Sequence, residues 1–203
     1  MLDLAVVYFF LLALFAVVGF LRGWQREVIA AAGLVASIAA LSQFGHVVVE
    51  LLTDIPAVGT DPVSNPEPFR RMFWVQFGFH SFIAFVSYQM VSRLADLALR
   101  GRLGERLRTG LESKIIGTLF GLLNGYLYIG ALWGFLEYAL NQGTSGYWRL
   151  NEGFQYAFTD VITRPVIDSL AWNVAGTLPQ IFSPTAWLVG FFIVFFFVII
   201  ALI

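Results

Sequence analysis

Cysteine is absent from the 203 residues of this chain, and charged residues make up only 12% of it. Without cysteine the chain has no disulfides, no thiolate metal ligands and no thiol nucleophile. A soluble domain carries about 25% charged residues, whereas hydrophobic residues make up 59% of this chain. So few polar side chains could not cover a soluble core of this size. The composition therefore predicts an integral membrane protein.

Five long apolar segments account for most of that hydrophobic content. They cover residues 4–21, 28–52, 72–91, 115–136 and 186–203. A helix needs about 20 residues to cross about 30 Å of hydrocarbon, and it satisfies its own backbone there. We therefore predict an all-α integral membrane protein with about five transmembrane helices in one compact membrane domain.

The connections between these segments alternate in charge. The first and third connections hold eight of the twelve basic residues, whereas the second and fourth are mainly acidic. Because Lys and Arg concentrate on the cytoplasmic side, the N-terminus is predicted outside and the C-terminus inside. The residues expected to set this topology and to anchor helix ends at the headgroups are Arg22, Arg26, Glu27, Arg100, Arg102, Arg106, Arg108 and Lys114.

Two connections have an amphipathic pattern. Residues 92–114 alternate leucines with arginines, which favours either a basic helix on the anionic cytoplasmic face or a solvated loop. Residues 147–182 place apolar side chains at helical spacing from Phe154 to Ile162 and again from Val166 to Ala171, with an interruption at Pro165. We expect this second stretch to form an external amphipathic segment at the membrane interface.

Small residues recur at intervals of about four in the first and fourth segments. Such rows let helix backbones approach closely, which matters in lipid because packing there must replace the hydrophobic drive for association. The pattern favours self-association or docking on a partner, with packing inside the chain as the alternative. The glycines concerned are Gly19, Gly23, Gly117, Gly121, Gly125, Gly130 and Gly134.

Five polar residues are predicted near the outer ends of the helices: His46, Glu50, Gln76, His80 and Glu137. At a rise of about 1.5 Å per residue, they could share one depth. A proton relay or a His/Glu metal site is one interpretation, and structural hydrogen bonding near the headgroups is the other. Their spacing matches no dedicated metal motif, so we assign no metal site.

Catalytic motifs are missing from the sequence. It has neither a glycine-rich phosphate loop nor an HExxH motif, and its serines lack the context of a nucleophile elbow. The arginines are too few and too confined to favour nucleic acid. We expect a non-enzymatic protein with no cofactor and no nucleic-acid partner, and we leave open a bound lipid or pigment.

The stretch Leu21-Arg-Gly-Trp-Gln-Arg-Glu-Val-Ile resembles the signature of the colicin V production protein (CvpA) family, in which a first helix runs into an Arg-Gly-x-x-Arg-Glu turn. A second block, Lys114-Ile-Ile-Gly-Thr-Leu-Phe-Gly, is similar to that family's basic loop and glycine-repeated fourth helix. The family often carries an arginine where this chain has Asn124. The resemblance covers about residues 1–184, and residues 186–203 form an additional helix.

The resemblance implies a multi-pass protein of the bacterial inner membrane that supports colicin V production or export and, more broadly, envelope homeostasis. Its partners would be the lipid bilayer and either further copies of itself or other membrane subunits. Two alternatives stay open. The aromatic last helix suggests an accessory subunit of a larger complex, energy-transducing or photosynthetic, and His80 with Glu137 suggests a small proton-coupled transporter.

Overall fold

The computed structural model describes residues 3–99 and 110–202, and within these residues the chain is mostly helical. The helices are α1 (Leu4–Arg22), α2 (Trp24–Leu52), α3 (Pro66–Leu99), α4 (Leu111–Gly125), α5 (Ala131–Glu137), α6 (Leu170–Ala175) and α7 (Pro184–Leu202). A π-helical segment (Tyr126–Gly130) joins α4 to α5, and a 3₁₀ helix (Pro179–Ile181) precedes α7. The described strands are β1 (Tyr138–Leu140) and β2 (Tyr147–Arg149).

Three helical stretches are long and apolar enough to cross a membrane: Leu4–Arg22, Trp24–Leu52 and Leu111–Glu137. The last helix adds a shorter apolar stretch, Pro184–Ile199. At 34 residues α3 is also long enough, but buried polar side chains such as those of Gln76 and His80 make it less apolar. These findings agree with a helical membrane protein, and the count of five crossings stays a prediction.

The third connection is only partly described. The sequence predicts a membrane helix over residues 72–91, whereas α3 runs from Pro66 to Leu99 and so includes the start of that connection. The basic residues Arg100, Arg102, Arg106 and Arg108 lie outside the described residues. The interpretation of residues 92–114 as a surface helix therefore stays a prediction.

The first helix has almost no spare length for a membrane crossing. Its 19 residues rise about 28 Å, close to the thickness of the hydrocarbon core. Asp3 caps its start by accepting a hydrogen bond from the Ala5 amide at 2.9 Å. At its other end a single residue, Gly23, turns the chain into α2 with a φ of +79° that favours glycine. We name the end of the bundle that holds Asp3 the hairpin end, and the end that holds Gly23 the turn end.

Glycine faces bring α1 and α4 into close contact. A Cβ atom at Gly19 would collide with the carbonyl oxygen of Gly117 and would lie 2.8 Å from the Cα of Gly121. Nearer the hairpin end, the rings of Tyr8 and Trp133 meet edge to face at 5.3 Å. A Cβ at Gly117 would lie 3.0 Å from Gly23, whereas one at Gly125 would lie 2.9 Å from Leu12. α1 and α4 are therefore antiparallel, and their close approach lies within one chain.

The remaining glycines of the predicted row also face residues of the same chain. Gly125 faces Leu12 and Phe15 of α1. Further along, Gly130 faces the Pro179 ring, and a Cβ at Gly134 would collide with the side-chain amide of Gln180. The glycine rows thus allow both α1 and the 3₁₀ helix to pack closely against α4 and α5.

The second helix lies at the centre of the bundle, against α3, α4 and α7. Its buried residues Leu34 and Ile38 belong to the main apolar core together with Trp187 of α7. The Trp187 indole also donates a hydrogen bond to the Pro179 carbonyl at 2.9 Å. One face of α7 is therefore occupied by its own chain.

A π-helical turn interrupts the predicted fourth membrane helix between α4 and α5. The Tyr128 hydroxyl lies 3.0 Å from the Ser81 hydroxyl, and the Tyr128 ring stacks on His80 at 5.4 Å. Tyr126 donates a hydrogen bond to the Thr177 carbonyl at 2.6 Å. Contacts on both sides therefore hold this wider turn, a feature often found at functional sites.

A β-hairpin that the sequence analysis did not predict closes the hairpin end. β1 follows α5 directly and pairs antiparallel with β2, so that Tyr138 lies opposite Arg149. In the connection between the strands, Gly143 and Gly146 have φ values of +64° and +97°, which favour glycine. The Gly146 amide donates to the Ser42 carbonyl at 2.8 Å and so fastens the hairpin to α2.

The helical spacing between Phe154 and Ile162 does not produce a helix, whereas the later spacing from Val166 to Ala171 leads into α6. Within residues 147–182 the helical pieces are α6 and the 3₁₀ helix. The irregular backbone is instead satisfied by Arg164, whose guanidinium donates to several main-chain carbonyls. These acceptors belong to Leu150, Asn151, Glu152 and Phe154. The location of residues 147–182 at the membrane interface stays a prediction.

We expect Gly121→Leu to destabilise the contact between α1 and α4. A Cβ at Gly121 would collide with the Phe15 carbonyl oxygen and would lie 3.0 Å from the Cα of Gly19. Overpacking of this kind costs about 1–3 kcal/mol, which should lower the thermal unfolding midpoint of the purified protein in detergent. Gly190→Leu in α7 is the matched control, since a Cβ there meets no described atom within 4 Å. Equal midpoints for the two variants would contradict this account.

Candidate functional site

Glu137 is the last residue of α5, and its side chain is completely buried at the hairpin end. Its Oε1 accepts hydrogen bonds from Arg149 Nε at 3.0 Å and from Arg164 Nη2 at 2.7 Å. Its Oε2 accepts from the Tyr156 hydroxyl at 2.9 Å and from Arg164 Nε at 3.2 Å. Arg164 therefore binds the carboxylate through two nitrogens, the geometry that makes such a pair strong and directional. We call these four residues the Glu137 cluster.

Arg164 is as deeply buried as its partner, with a side chain only 1% exposed. Besides Glu137, its Nη2 donates to the Leu150 carbonyl at 3.0 Å and its Nη1 to the Asn151 carbonyl at 2.5 Å. Its guanidinium thereby finds acceptors in Glu137 and in the backbone after β2. One side chain thus ties the loop after β2 to the end of α5.

Aromatic side chains surround this ion pair. The centre of the Trp172 ring lies 4.4 Å from the guanidinium carbon of Arg149 and 5.0 Å from that of Arg164. Both distances are within the range of cation–π attraction. Trp133 donates a hydrogen bond to the Tyr156 hydroxyl at 3.0 Å. Burial raises the pKa of Tyr156, and the nearby charge of Glu137 raises it further. Tyr156 therefore stays protonated at neutral pH and remains a donor to Glu137.

The Glu137 cluster contains one carboxylate for two guanidinium groups. The side chain of Arg149 is 32% exposed, so water offsets part of its charge, whereas Arg164 has no such access. Leaving a buried charge without its partner costs several kcal/mol. The position of both arginines, and of the loop that carries them, therefore depends on Glu137.

A second buried carboxylate, Glu27, lies in the first turn of α2 at the turn end. Its Oε1 accepts a hydrogen bond from Arg22 Nη1 at 2.8 Å, across the Gly23 turn. Its Oε2 accepts from Asn124 Nδ2 at 2.7 Å and from the Tyr88 hydroxyl at 3.2 Å. α1, α2, α3 and α4 each contribute one residue, so four helices meet at one carboxylate. We call these four residues the Glu27 cluster.

The position of Glu27 differs from the headgroup contact expected for it. Asn124 also donates to the main-chain carbonyl of Glu27 at 2.9 Å, and the Arg22 guanidinium lies 4.5 Å from the centre of the Tyr88 ring. Arg22 is itself only 20% exposed. The chain reverses at Gly23 and so places Arg22 beside Glu27. Because Glu27 is completely buried, its carboxylate needs this partner inside the protein.

The other described residues expected to anchor the helix ends lie on the turn-end side of the bundle. Arg26 is half-buried in the first turn of α2. Lys114, in α4, places its ammonium 5.4 Å from the centre of the Phe20 ring. Contact of either residue with lipid headgroups stays a prediction.

Gln76 and His80, expected to share a cluster near the headgroups, have separate partners inside the bundle. His80 Nδ1 lies 2.9 Å from the Ser37 hydroxyl of α2. Gln76 Oε1 accepts a hydrogen bond from the Tyr147 hydroxyl of the hairpin at 3.0 Å. Both side chains are completely buried. They fasten α3 to two different neighbours.

The remaining members of that expected cluster are also placed apart. Glu50 is exposed and accepts a hydrogen bond from the Gly143 amide at 2.8 Å, while His46 is half-buried on α2. In the part of the chain that the structure describes, no hydrogen bond or ion pair joins any two of the five residues. Over residues 3–99 and 110–202, the structure also contains no group of three His, Cys, Asp or Glu side chains that could hold a metal ion.

Sequence reasoning identifies Glu137 but misses the residues that surround it. Arg149 and Arg164 stand out only as the two basic residues of an acidic connection. One signal was available, because arginines in a segment expected at an apolar interface need acidic partners, and Glu137 lies at the adjacent helix end. The two arginines are 12 and 27 residues from Glu137, and such separations carry no periodic pattern that would pair them.

Comparison with protein families gives a match to the colicin V production protein family over residues 2–157. The chain belongs to this family. The resemblance drawn from the turn around Gly23 is therefore confirmed. Neither curated proteins nor solved structures give a significant match to this CvpA-family chain.

The family match covers the Glu27 cluster completely but the Glu137 cluster only in part. It includes every residue of the Glu27 cluster, and it includes Glu137, Arg149 and Tyr156. Arg164 lies beyond its end, as do α6 and α7. In this CvpA-family protein, all residues of the Glu27 cluster thus lie within the matched residues 2–157. The Glu137 cluster includes one arginine, Arg164, that lies after them.

We expect Glu137→Ala to destabilise the protein by about 3–5 kcal/mol, because it leaves the buried Arg164 without its counter-ion. Chemical or thermal unfolding in detergent would measure the loss. Glu152→Ala is the matched control, since Glu152 is an exposed acidic side chain in the same loop. Similar stabilities for the two variants would show that the ion pair contributes little.

Proposed function

We propose that this chain is a non-enzymatic CvpA-family protein of the bacterial inner membrane, which supports colicin V-type production or export, or envelope homeostasis, through helix packing. The observation that carries this proposal is how the buried polar residues are used. Glu27 and Glu137 are both committed to partners that hold helices and loops together. The cavity at the hairpin end is lined by Asp3 and Arg164, and the Arg164 guanidinium is already bound to Glu137.

Five crossings with the hairpin end outside are part of this proposal. The antiparallel packing of α1 on α4 and the position of α7 beside α2 support them. The polar residues of α3 are compatible with a crossing, because Gln76 and His80 are buried inside the bundle. Arg22 and Lys114 lie towards the turn end, which the positive-inside rule assigns to the cytoplasm.

Complementation of cells that lack their own copy tests the proposed role. The wild-type chain should restore colicin V export or envelope integrity, and Gly121→Leu should fail because it separates α1 from α4. Gly190→Leu should restore function, since that position has space for the side chain. Full activity of a correctly assembled Gly121→Leu variant would contradict a role that depends on this packing.

The exposed aromatic face of α7 favours a second candidate, an accessory subunit of a larger membrane complex. Phe192 and Phe196 are 49% and 59% exposed, while the opposite face of α7 packs on α2. Such a face fits lipid or the helices of another subunit. The alternative of proton-coupled transport has no comparable support, because His80 and Glu137 have separate partners.

Gentle solubilisation from the native membrane, followed by analysis of mass and composition, tests the second candidate. Foreign subunits should elute with the full chain and should be lost when residues 186–203 are deleted. Double replacement of Phe192 and Phe196 by leucine is a milder variant that keeps the helix apolar. Unchanged co-purifying partners after the deletion would exclude α7 as the docking element.

A further inference from the structure

We propose that the turn from Val166 to Leu170, which we call the aliphatic tip, inserts into the lipid leaflet at the hairpin end. This inference rests on the proposed membrane function and names the lipid contact made by the loop after β2. The tip exposes Val166 by 77%, Ile167 by 43% and Leu170 by 73%. Three large aliphatic side chains clustered on one turn are unusual on a surface that faces water, and such patches mark interaction sites.

The backbone of the aliphatic tip has a defined shape. The Ser169 amide donates to the Val166 carbonyl at 3.1 Å and closes the turn. Asp168 adopts a φ of +66°, which a residue with a side chain seldom takes and which costs free energy. Ser169 then caps α6 by accepting a hydrogen bond from the Trp172 amide at 3.0 Å. The fold therefore maintains a strained turn whose result is to display apolar side chains.

Both ends of the aliphatic tip are fixed to the Glu137 cluster. Arg164, two residues before Val166, is held by Glu137 and by main-chain carbonyls. Trp172, two residues after Leu170, lies against the guanidinium groups of Arg149 and Arg164. The buried ion pair thus sets the direction in which the tip projects.

The aliphatic tip lies beside a residue that marks the membrane boundary. A cavity of about 400 Å³ is lined by Asp3, Leu4 and Ala5 of the α1 start and by Pro165 and Val166 of the tip. Because α1 is only about as long as the hydrocarbon is thick, Asp3 must lie close to the boundary. Val166, on the same cavity, therefore lies at that level too.

The surroundings favour lipid as the partner of the aliphatic tip. The adjacent start of α1 exposes Val6 by 65% and Phe10 by 68%, so the tip continues an apolar surface expected to face the bilayer. The charged residues of the tip region are Asp160, Asp168 and the buried Arg164. The partly exposed cation Arg70 already pairs with Asp160 at 3.6 Å, and the tip itself carries only the acidic Asp168. Insertion must therefore be driven by apolar area and not by anionic headgroups. We therefore expect it to occur in neutral lipid and to be insensitive to salt.

The absence of cysteine allows a direct test in the full chain. Val166→Cys and Leu170→Cys each carry a single environment-sensitive NBD label, and each is reconstituted in neutral phosphatidylcholine vesicles. Val58→Cys is the matched control, because Val58 is 72% exposed in a different loop at the hairpin end. We expect blue-shifted emission at both tip positions relative to Val58, quenching by spin-labelled lipid and protection from aqueous iodide. Salt should leave these signals unchanged.

Two outcomes would overturn the proposal. Emission and iodide quenching equal to those of the Val58 label would place the aliphatic tip in water. A blue shift that disappears when the protein is diluted in lipid would instead identify a contact with a second copy of the chain. The labelled variants are also assayed for complementation, so that an aqueous tip in a functional protein overturns only this inference and leaves the proposed function standing.

Discussion

The ion pair between Glu137 and Arg164 determines how the hairpin end of the bundle is built. A carboxylate with no access to water requires a cation. Arg149 supplies a partly exposed one, and the fully buried one comes from Arg164, 27 positions later in a loop. Once Arg164 is held there, its remaining donors collect the carbonyls of the loop after β2, and the backbone needs no regular secondary structure. The loop after β2 and the aliphatic tip are held in place by this buried pair, and the hairpin is held by Arg149 and by its bond to α2.

The turn end also contains a buried carboxylate that needs a cation, Glu27, but its partners come from the helices and not from a loop. Glu27 obtains its cation from Arg22 across a one-residue turn and its other donors from Tyr88 and Asn124. Arg22 of α1 and Asn124 of α4 both reach Glu27 where glycines let these two helices approach closely. Packing and hydrogen bonding are therefore coupled here, and a bulky residue in the glycine row would also disturb the polar cluster.

The membrane helices were predictable because apolar length is a local property of the sequence. Residues 4–21 and 28–52 agree with α1 and α2 to within a few positions, and the family turn around Gly23 was readable from its residue types. The Glu137 cluster was not predictable in this way, since it joins residues far apart in sequence through a loop without periodicity. The helical spacing after Phe154 does not form a helix, and Arg164 binds the Phe154 carbonyl and three carbonyls before it instead.

Buried polar groups occur at three levels along the bundle: the Glu27 cluster, His80 with Ser37, and the Glu137 cluster. The distances between these levels decide whether they could form one proton path. Tyr88 of the Glu27 cluster and His80 are eight residues apart on α3, a rise of about 12 Å. Between them lies the buried apolar residue Ala84, while Ser87 turns back to its own helix by donating to the Ile83 carbonyl at 2.7 Å. A proton path needs successive groups within hydrogen-bonding distance, whereas the hydrogen bonds of Tyr88 and His80 run across the bundle to α2. Each set joins neighbouring helices at its own level, which is the arrangement expected of a packed scaffold.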